Sequence, residues 1–231
     1  MRRNVNEPCA RPADLERSAD CACRFRRRRT ARTALSAVHR PLRGLRRRYA
    51  GSLGALEKLP SGEERMFLVE AGQIAIPPSL VVLMEARVTQ MVAERPHEKI
   101  SDSRIQPLTE ADAADMLDLA TLTKPGPFTL RAQSLGCFWG IRQEGRLVAM
   151  AGQRMRQIGF IELSGLCTHP DFQGRGLGSL LFRFVAGEIA SGGDTAYLHA
   201  YAANTSAISL YAAHGFVVRS EMNMCVVKRP T

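Results

Sequence analysis

Residues 168–179, reading THPDFQGRGLGS, constrain this chain more than any other stretch. The apolar run Phe160 to Thr168 before them reads as a strand. Leu177, Leu180, Leu181, Phe184, Val185 and Ile189 after them recur at helical spacing. Gly174, Gly176 and Gly178 stand at the junction. A glycine costs a helix about 1 kcal/mol relative to alanine, so three of them at a helix start point to a need for bare backbone. The first N–H groups of a helix have no intrahelical partner and carry partial positive charge. Without Cβ atoms, an anion can reach them. The turn therefore predicts a phosphorylated ligand against Gln173 to Ser179. It is not a P-loop, because the chain has no Gly-Lys pair, and glycines at 174, 176 and 178 do not match the dinucleotide pattern.

The elements around this turn give an α/β order. Ile105 to Leu108 reads as a strand start, and Thr109 with Asp112 opens a helix over 110–122 in the manner of a capping box. Phe138 to Ile141 and Leu147 to Gln153 read as a hairpin around Glu144-Gly145. After the glycine-led helix, Thr195 to Tyr201 is a strand with Tyr197, His199 and Tyr201 on one face. Asn204 is a suitable N-cap for the next helix, which stops at Gly215, and Phe216 to Val227 closes the chain as one long strand or a kinked pair. The predicted fold class is α/β: a central mixed, mostly antiparallel sheet with helices on both faces, preceded by a smaller α+β segment. Residues 80–92 fit both periods; their β-branched residues favour a strand. The domain organisation expected is an Arg-rich disordered arm over 1–40, a small N-terminal subdomain over 41–100 and a main domain over 104–231.

Charge distribution narrows the function. The net charge of +10 suggests nucleic acid, but residues 1–50 hold fifteen Arg, no Lys and four acids, whereas residues 51–231 hold seventeen basic and eighteen acidic residues. The basic excess is confined to the arm, so nucleic acid is not expected as a partner of the folded part, and the exclusive use of Arg looks compositional. Acids at Glu7, Asp14, Glu16 and Asp20 do not suit a transit peptide. No apolar run approaches the roughly 20 residues of a membrane span. The six cysteines form no CxxC pair and the His residues are scattered, so no metal site is expected. Cys137, Cys167 and Cys225 lie in apolar runs and read as buried thiols of a reducing, cytoplasmic compartment.

The glycine turn is one of a spaced set. Leu166-Cys167-Thr168-His169-Pro170 precedes it, and Asn204 and Leu210-Tyr211 to Gly215-Phe216 follow. With this set, from about Arg104 to Val227, the chain resembles the GNAT superfamily of acyl-CoA-dependent N-acetyltransferases. The Thr123 to Phe128 loop and the segment before the main domain look similar to the branch related to glycine N-acyltransferases.

The resemblance implies transfer of an acetyl group from acetyl-CoA to a primary amine (a small molecule, amino acid or peptide N-terminus) in a ternary complex. It places the pyrophosphate on Gln173, Gly174, Arg175, Gly176, Leu177, Gly178 and Ser179, the pantetheine arm along Leu166, Cys167 and Thr168, and further CoA contact at Asn204. A backbone N–H near Leu166 or Cys167 would polarise the thioester carbonyl. Tyr211 matches the family's acid, and Glu162, the only acid in the 160–168 run, is the candidate base; the alternative for Glu162 is an exposed strand-end carboxylate. His199 and Tyr201 are runners-up lining the acceptor side, while His169 and Asp171 would shape the turn. A CoA-binding regulatory or scaffold protein without turnover is the alternative function. The acceptor's identity and self-association as a homodimer stay open.

Overall fold

The computed structural model describes residues 53–60 and 64–230. The Arg-rich arm expected over 1–40 lies outside the described residues. Eight strands form one sheet: β1 (Met66–Glu70), β2 (Val81–Ala93), β3 (Ile105–Leu108), β4 (Phe138–Gln143), β5 (Arg146–Gln157), β6 (Phe160–Thr168), β7 (Thr195–Tyr201) and β8 (Phe216–Lys228). Their order across the sheet is β1-β8-β2-β7-β6-β5-β4-β3. Every pairing is antiparallel except β6 with β7. Helices α1 (Ala113–Thr123), α2 (Leu177–Ser191) and α3 (Thr205–Ala213) pack with the sheet, and a short helical turn lies at 53–56. This is the mixed, mostly antiparallel α/β sheet with helices that the sequence predicts.

Local chemistry sets most boundaries. Glu144 and Gly145 both have positive φ, 51° and 79°, which suits the two-residue hairpin joining Gln143 to Arg146. The Asp112 carboxylate accepts the Thr109 N–H at 2.8 Å, as the capping pattern predicts; a short 3-10 turn, Glu110–Asp112, precedes α1. Lys124 ends α1 in the left-handed region ahead of Pro125. Pro107 sits in edge strand β3, where a missing N–H does least harm.

Two apolar layers sandwich the sheet. On one face α2 packs Leu177, Leu181, Phe182, Val185 and Ile189 against Met91, Ile161, Leu163 and Leu198. On the other, α1 covers Phe138, Met150 and Cys167 with Met116 and Leu119. Residues 98–99 cross α2 so closely that a Cβ at Gly187 would stand 2.4 Å from the Glu98 carbonyl oxygen. Cys167 and Cys225 are buried thiols; Cys137 is half-buried.

The N-terminal strands are used differently from the expectation of a separate small subdomain over 41–100. β2 lies between β7 and β8 and pairs with both, and β1 extends the same sheet beyond β8. The reason is hydrophobic: Val88, Met91 and Ala93 are all buried, on alternate faces of β2, and only a central position in a covered sheet buries both. Among the described residues no helix is long and apolar enough to cross a membrane.

Candidate active site

The centre of the sheet forks. β6 pairs with β7 only from Phe160–Glu162 to Thr195–Tyr197. Past that point β6 stays with β5 as far as Thr168, and β7 stays with β2 as far as Tyr201. The stretch Leu163–Thr168, which contains Leu166, Cys167 and Thr168, thus has one edge without a strand partner. Gly165, at φ 65°, lies in this departing stretch beside an irregularity in β5 between Met150 and Gly152.

The glycine turn follows the end of β6. Gly174 and Gly176 have φ of 73° and 74°, and a Cβ on either would meet nothing within 4 Å. Gly176 is the N-cap of α2, and no side chain caps the helix. Left-handed glycines, open space above them and an uncapped helix start fit an anionic phosphate ligand. Several predicted residues build the turn itself. His169 is buried; its Nδ1 accepts the Asp171 N–H at 3.2 Å and its Nε2 contacts Arg146. Arg175 folds back over the Phe172 ring and donates to the Asp171 carbonyl oxygen. Gln173 reaches the Thr168 carbonyl oxygen, at 3.4 Å. Ser179 Oγ meets His214 Nε2 at 2.8 Å, tying the start of α2 to the end of α3. Asn204 accepts the Ala207 N–H at 3.1 Å and caps α3, as predicted.

A chain of polar side chains crosses five strands at the fork, on the face opposite α2. Glu162 is 1% exposed, so it is not the exposed strand-end carboxylate considered as an alternative. Its two oxygens accept Arg154 Nε and Nη2, each at 2.9 Å, and one also meets His199 Nδ1 at 2.8 Å. His199 Nε2 lies 3.0 Å from Gln90 Nε2, and Gln90 Oε1 accepts Arg219 Nη1. These contacts assign the imidazole tautomer. Arginine only donates, so the Gln90 oxygen faces Arg219 and its NH₂ faces His199. His199 Nε2 therefore accepts, and its proton sits on Nδ1, donating to Glu162. Burial alone would raise the Glu162 carboxyl, but the hydrogen bond from His199 and the charge and hydrogen bonds of Arg154 outweigh it and hold the group at about 2. Burial likewise opposes the Arg154 charge, and Glu162 more than offsets it.

Tyr211 enters from α3. Its ring stacks on Phe182 with centroids 5.2 Å apart. Burial, with a smaller contribution from Cys167, pushes its hydroxyl up to about 12, so the group keeps its proton at neutral pH. Burial raises the Cys167 thiol to about 11 despite hydrogen bonds involving Thr123 and Met150, which makes it a poor nucleophile. Tyr201 is half-buried on β7 and joins an apolar patch with Val88 and Met222. A cavity of about 820 Å³ lies beyond Phe128, lined by Leu59, Pro60, Met66, Phe67 and Pro127 among others. None of its lining residues belongs to the fork or the glycine turn.

Arg154, Gln90 and Arg219 were not singled out from the sequence. Arg154 was hidden from a simple hairpin reading: with Gln157 opposite Phe160 a regular register sets Met155 against Glu162, and the bulge between Gln153 and Arg156 brings Arg154 there instead. Gln90 and Arg219 carried no local signal. Among the described residues no group of His, Cys, Asp and Glu could hold a metal ion.

Comparison with known proteins agrees with this architecture. The FR47-like protein family model matches residues 138–225, from β4 into β8. No curated protein matches the chain. A crystal structure from Novosphingobium aromaticivorans, described as an acetyltransferase from the GNAT family, is 39% identical, with a TM-score of 0.72 over 79% of this chain and 82% of that one. A GNAT-family acetyltransferase from Colwellia psychrerythraea shares the fold at 14% identity, with a TM-score of 0.52 over 70% of this chain and 64% of that one. A Drosophila protein does so at 21% identity, with a TM-score of 0.51 over 66% and 54%. With the forked sheet and glycine-led helix in place, and 39% identity sustained over most of both chains, the chain belongs to the GNAT family of acetyltransferases.

Proposed function

We propose that this chain transfers an acetyl group from acetyl-CoA directly to a primary amine, with both substrates bound together. The observation that carries the reading is the fork between β6 and β7, with the uncapped, glycine-led start of α2 following the end of β6. Acetyl-CoA supplies the activated thioester. The N–H groups of Arg175 to Ser179 receive its pyrophosphate, and the unpaired edge of Leu166, Cys167 and Thr168 takes the pantetheine arm as an added strand. Asn204, beyond its capping role, borders the CoA groove.

The proton steps are assigned to three side chains. Glu162, the base candidate, acts through His199: it is enclosed and too acidic to take a proton from an ammonium itself, but it stabilises the imidazolium as His199 Nε2, once the Gln90 amide that donates to it gives way to the amine, accepts that proton. Tyr211 donates its hydroxyl proton toward the leaving thiolate. Within the family we place the chain in the branch related to glycine N-acyltransferases, on the Thr123 to Phe128 loop and the strands that precede the main domain.

Calorimetric titration with acetyl-CoA and free CoA, followed by thiol release with added amines, tests the reading. Saturable binding and amine-dependent release are expected. A folded chain that binds neither ligand overturns the reading. Binding without release, across a broad amine panel, favours the regulatory or scaffold alternative.

A further inference from the structure

The first turn of α2 carries a hydroxyl that the phosphate assignment above does not use. Ser179 is the third residue of the helix, in the turn to which the pyrophosphate is assigned. Its Oγ meets His214 Nε2 at 2.8 Å, and both side chains are half-buried. His214 is the C-cap of α3 and is held from two sides. Its ring stacks on Phe182 with centroids 5.2 Å apart, the ring that also carries Tyr211. Its carbonyl oxygen accepts His97 Nε2–H at 2.9 Å. A titratable group on one helix is thus fixed against the ligand-binding turn of another.

A serine hydroxyl has one proton to give. When that proton is spent on the His214 lone pair, only the oxygen lone pairs of Ser179 are left for a phosphate, and they repel it. When His214 Nε2 carries a proton, it donates to Ser179 Oγ and frees the hydroxyl proton for the anion. The imidazolium always has that proton, and its charge favours the anion as well. The charged and titratable neighbours of the ring are Arg183 on α2, Tyr211 on α3, and Glu94 and His97 on the segment after β2. Glu94 is exposed and reaches this corner through its N–H, on the Gly215 carbonyl oxygen. Partial burial, then the charge of Arg183, then His97, hold the His214 imidazole below its ordinary range. The ring is therefore mostly neutral at pH 7, and an anion nearby raises it.

Resting on the acetyl-CoA reading, we infer that His214 is a positioning residue for the pyrophosphate: it turns the Ser179 hydroxyl toward the anion and takes up a proton as the anion binds. The proton comes from solvent, adds to the imidazole and leaves again with the departing CoA; no covalent bond of the ligand changes. The sign of the pH dependence follows. A bound state that holds a proton more tightly gains affinity as pH falls toward the His214 value and loses that gain as pH rises above it.

The test is calorimetric titration of the full chain with CoA at pH 6 and pH 8, in buffers of different ionisation enthalpy, for the unaltered protein, His214→Phe and His214→Gln. His214→Phe keeps an aromatic ring beside Phe182 and removes the hydrogen bond. His214→Gln keeps a neutral donor and removes the charge. Comparing each variant with the unaltered protein at the same pH cancels the titration of CoA's own phosphates. His214→Phe is expected to bind CoA about 10-fold more weakly at pH 6 and about 3-fold more weakly at pH 8, the range of a hydrogen bond that fades as its charge is lost. His214→Gln should lie between the two proteins at pH 6 and lack the proton uptake that the unaltered chain shows. Circular dichroism checks the fold of each variant. Equal CoA affinity of all three proteins at pH 6 would overturn the proposal. So would a His214→Phe deficit that is the same at both pH values with unchanged proton uptake, the result a purely structural His214 gives. Failure of the unaltered chain to bind CoA would instead overturn the acetyl-CoA reading, and this inference with it.

Discussion

Replacing Glu162 by Gln keeps the shape of the side chain and removes its charge, so it measures what that charge does. In the native protein the carboxylate neutralises Arg154, receives His199 and is held at about 2 against an ordinary value near 4.5. A folded-state value below the unfolded one contributes stability that is fully present above the unfolded value and is lost as pH falls through the folded one. At 1.36 kcal/mol per pH unit, the difference amounts to about 3 kcal/mol at pH 7. Truncating one partner of a buried pair costs about 3–5 kcal/mol, which agrees. The gap between native and variant should shrink to about 1 kcal/mol at pH 3 and vanish toward pH 1. Urea unfolding followed by circular dichroism at pH 7 and pH 3 reads both values. For a chain of this size the pH 7 loss corresponds to a fall in Tm of roughly 6–12 °C. Turnover should fall by about 100-fold or more, because His199 loses the partner that fixes its tautomer. Equal stability of the two proteins at pH 7, or the same gap at pH 3 as at pH 7, would refute the reasoning.

Three further perturbations probe other parts of the site. Tyr211→Phe keeps the ring stacked on Phe182, so stability and acetyl-CoA affinity should hold while turnover drops by about 100-fold; an unchanged rate removes Tyr211 as the acid. Gly176→Glu forces a left-handed position on a non-glycine residue, at about 1–2 kcal/mol, and projects a carboxylate into the open phosphate approach. CoA affinity by calorimetry should be lost, with Gly176→Asn, which tolerates the backbone better, as the fold control; normal affinity in Gly176→Glu sinks the phosphate assignment. Removing all residues before Arg104 spares everything matched by the family model but deletes β2 from between β7 and β8. Losing buried Val88, Met91 and Ala93 alone removes several kcal/mol, a large part of a domain's total stability. The truncated chain should show no cooperative unfolding transition, and a native-like transition would contradict the central role of β2.

The elements nearest the glycine turn were legible because each rests on chemistry within a few residues. The apolar stripe of α2, the Asn204 cap and the Glu144-Gly145 hairpin all satisfy local rules, and the structure has each of them where the pattern put it. Residues 80–92 resisted reading for a physical reason. A central strand is apolar on both faces, so its period is blurred, and the favoured strand assignment rested on β-branched content alone. For the same reason β1 and β2 looked like a separate small unit: nothing in their own sequence says that β2 pairs with β7 and β8.

By itself, then, the sequence determined a strand, a bare-backbone turn and a helix in succession, and with them a candidate anion site and a fold class. The side chains proposed to handle protons were only half visible: Glu162, His199 and Tyr211 lie in elements that carry recognisable motifs, but their partners carry no such signal. Gln90 comes from β2, Arg154 from β5 and Arg219 from a bulge in β8, with Gln90 and Arg219 129 positions apart in the chain. Which of them meet is set by strand order and register, and those follow from burying both faces of the sheet at once. That is a property of the whole packed chain, so the hydrogen-bond network and the tautomer of His199 exist only in the tertiary structure.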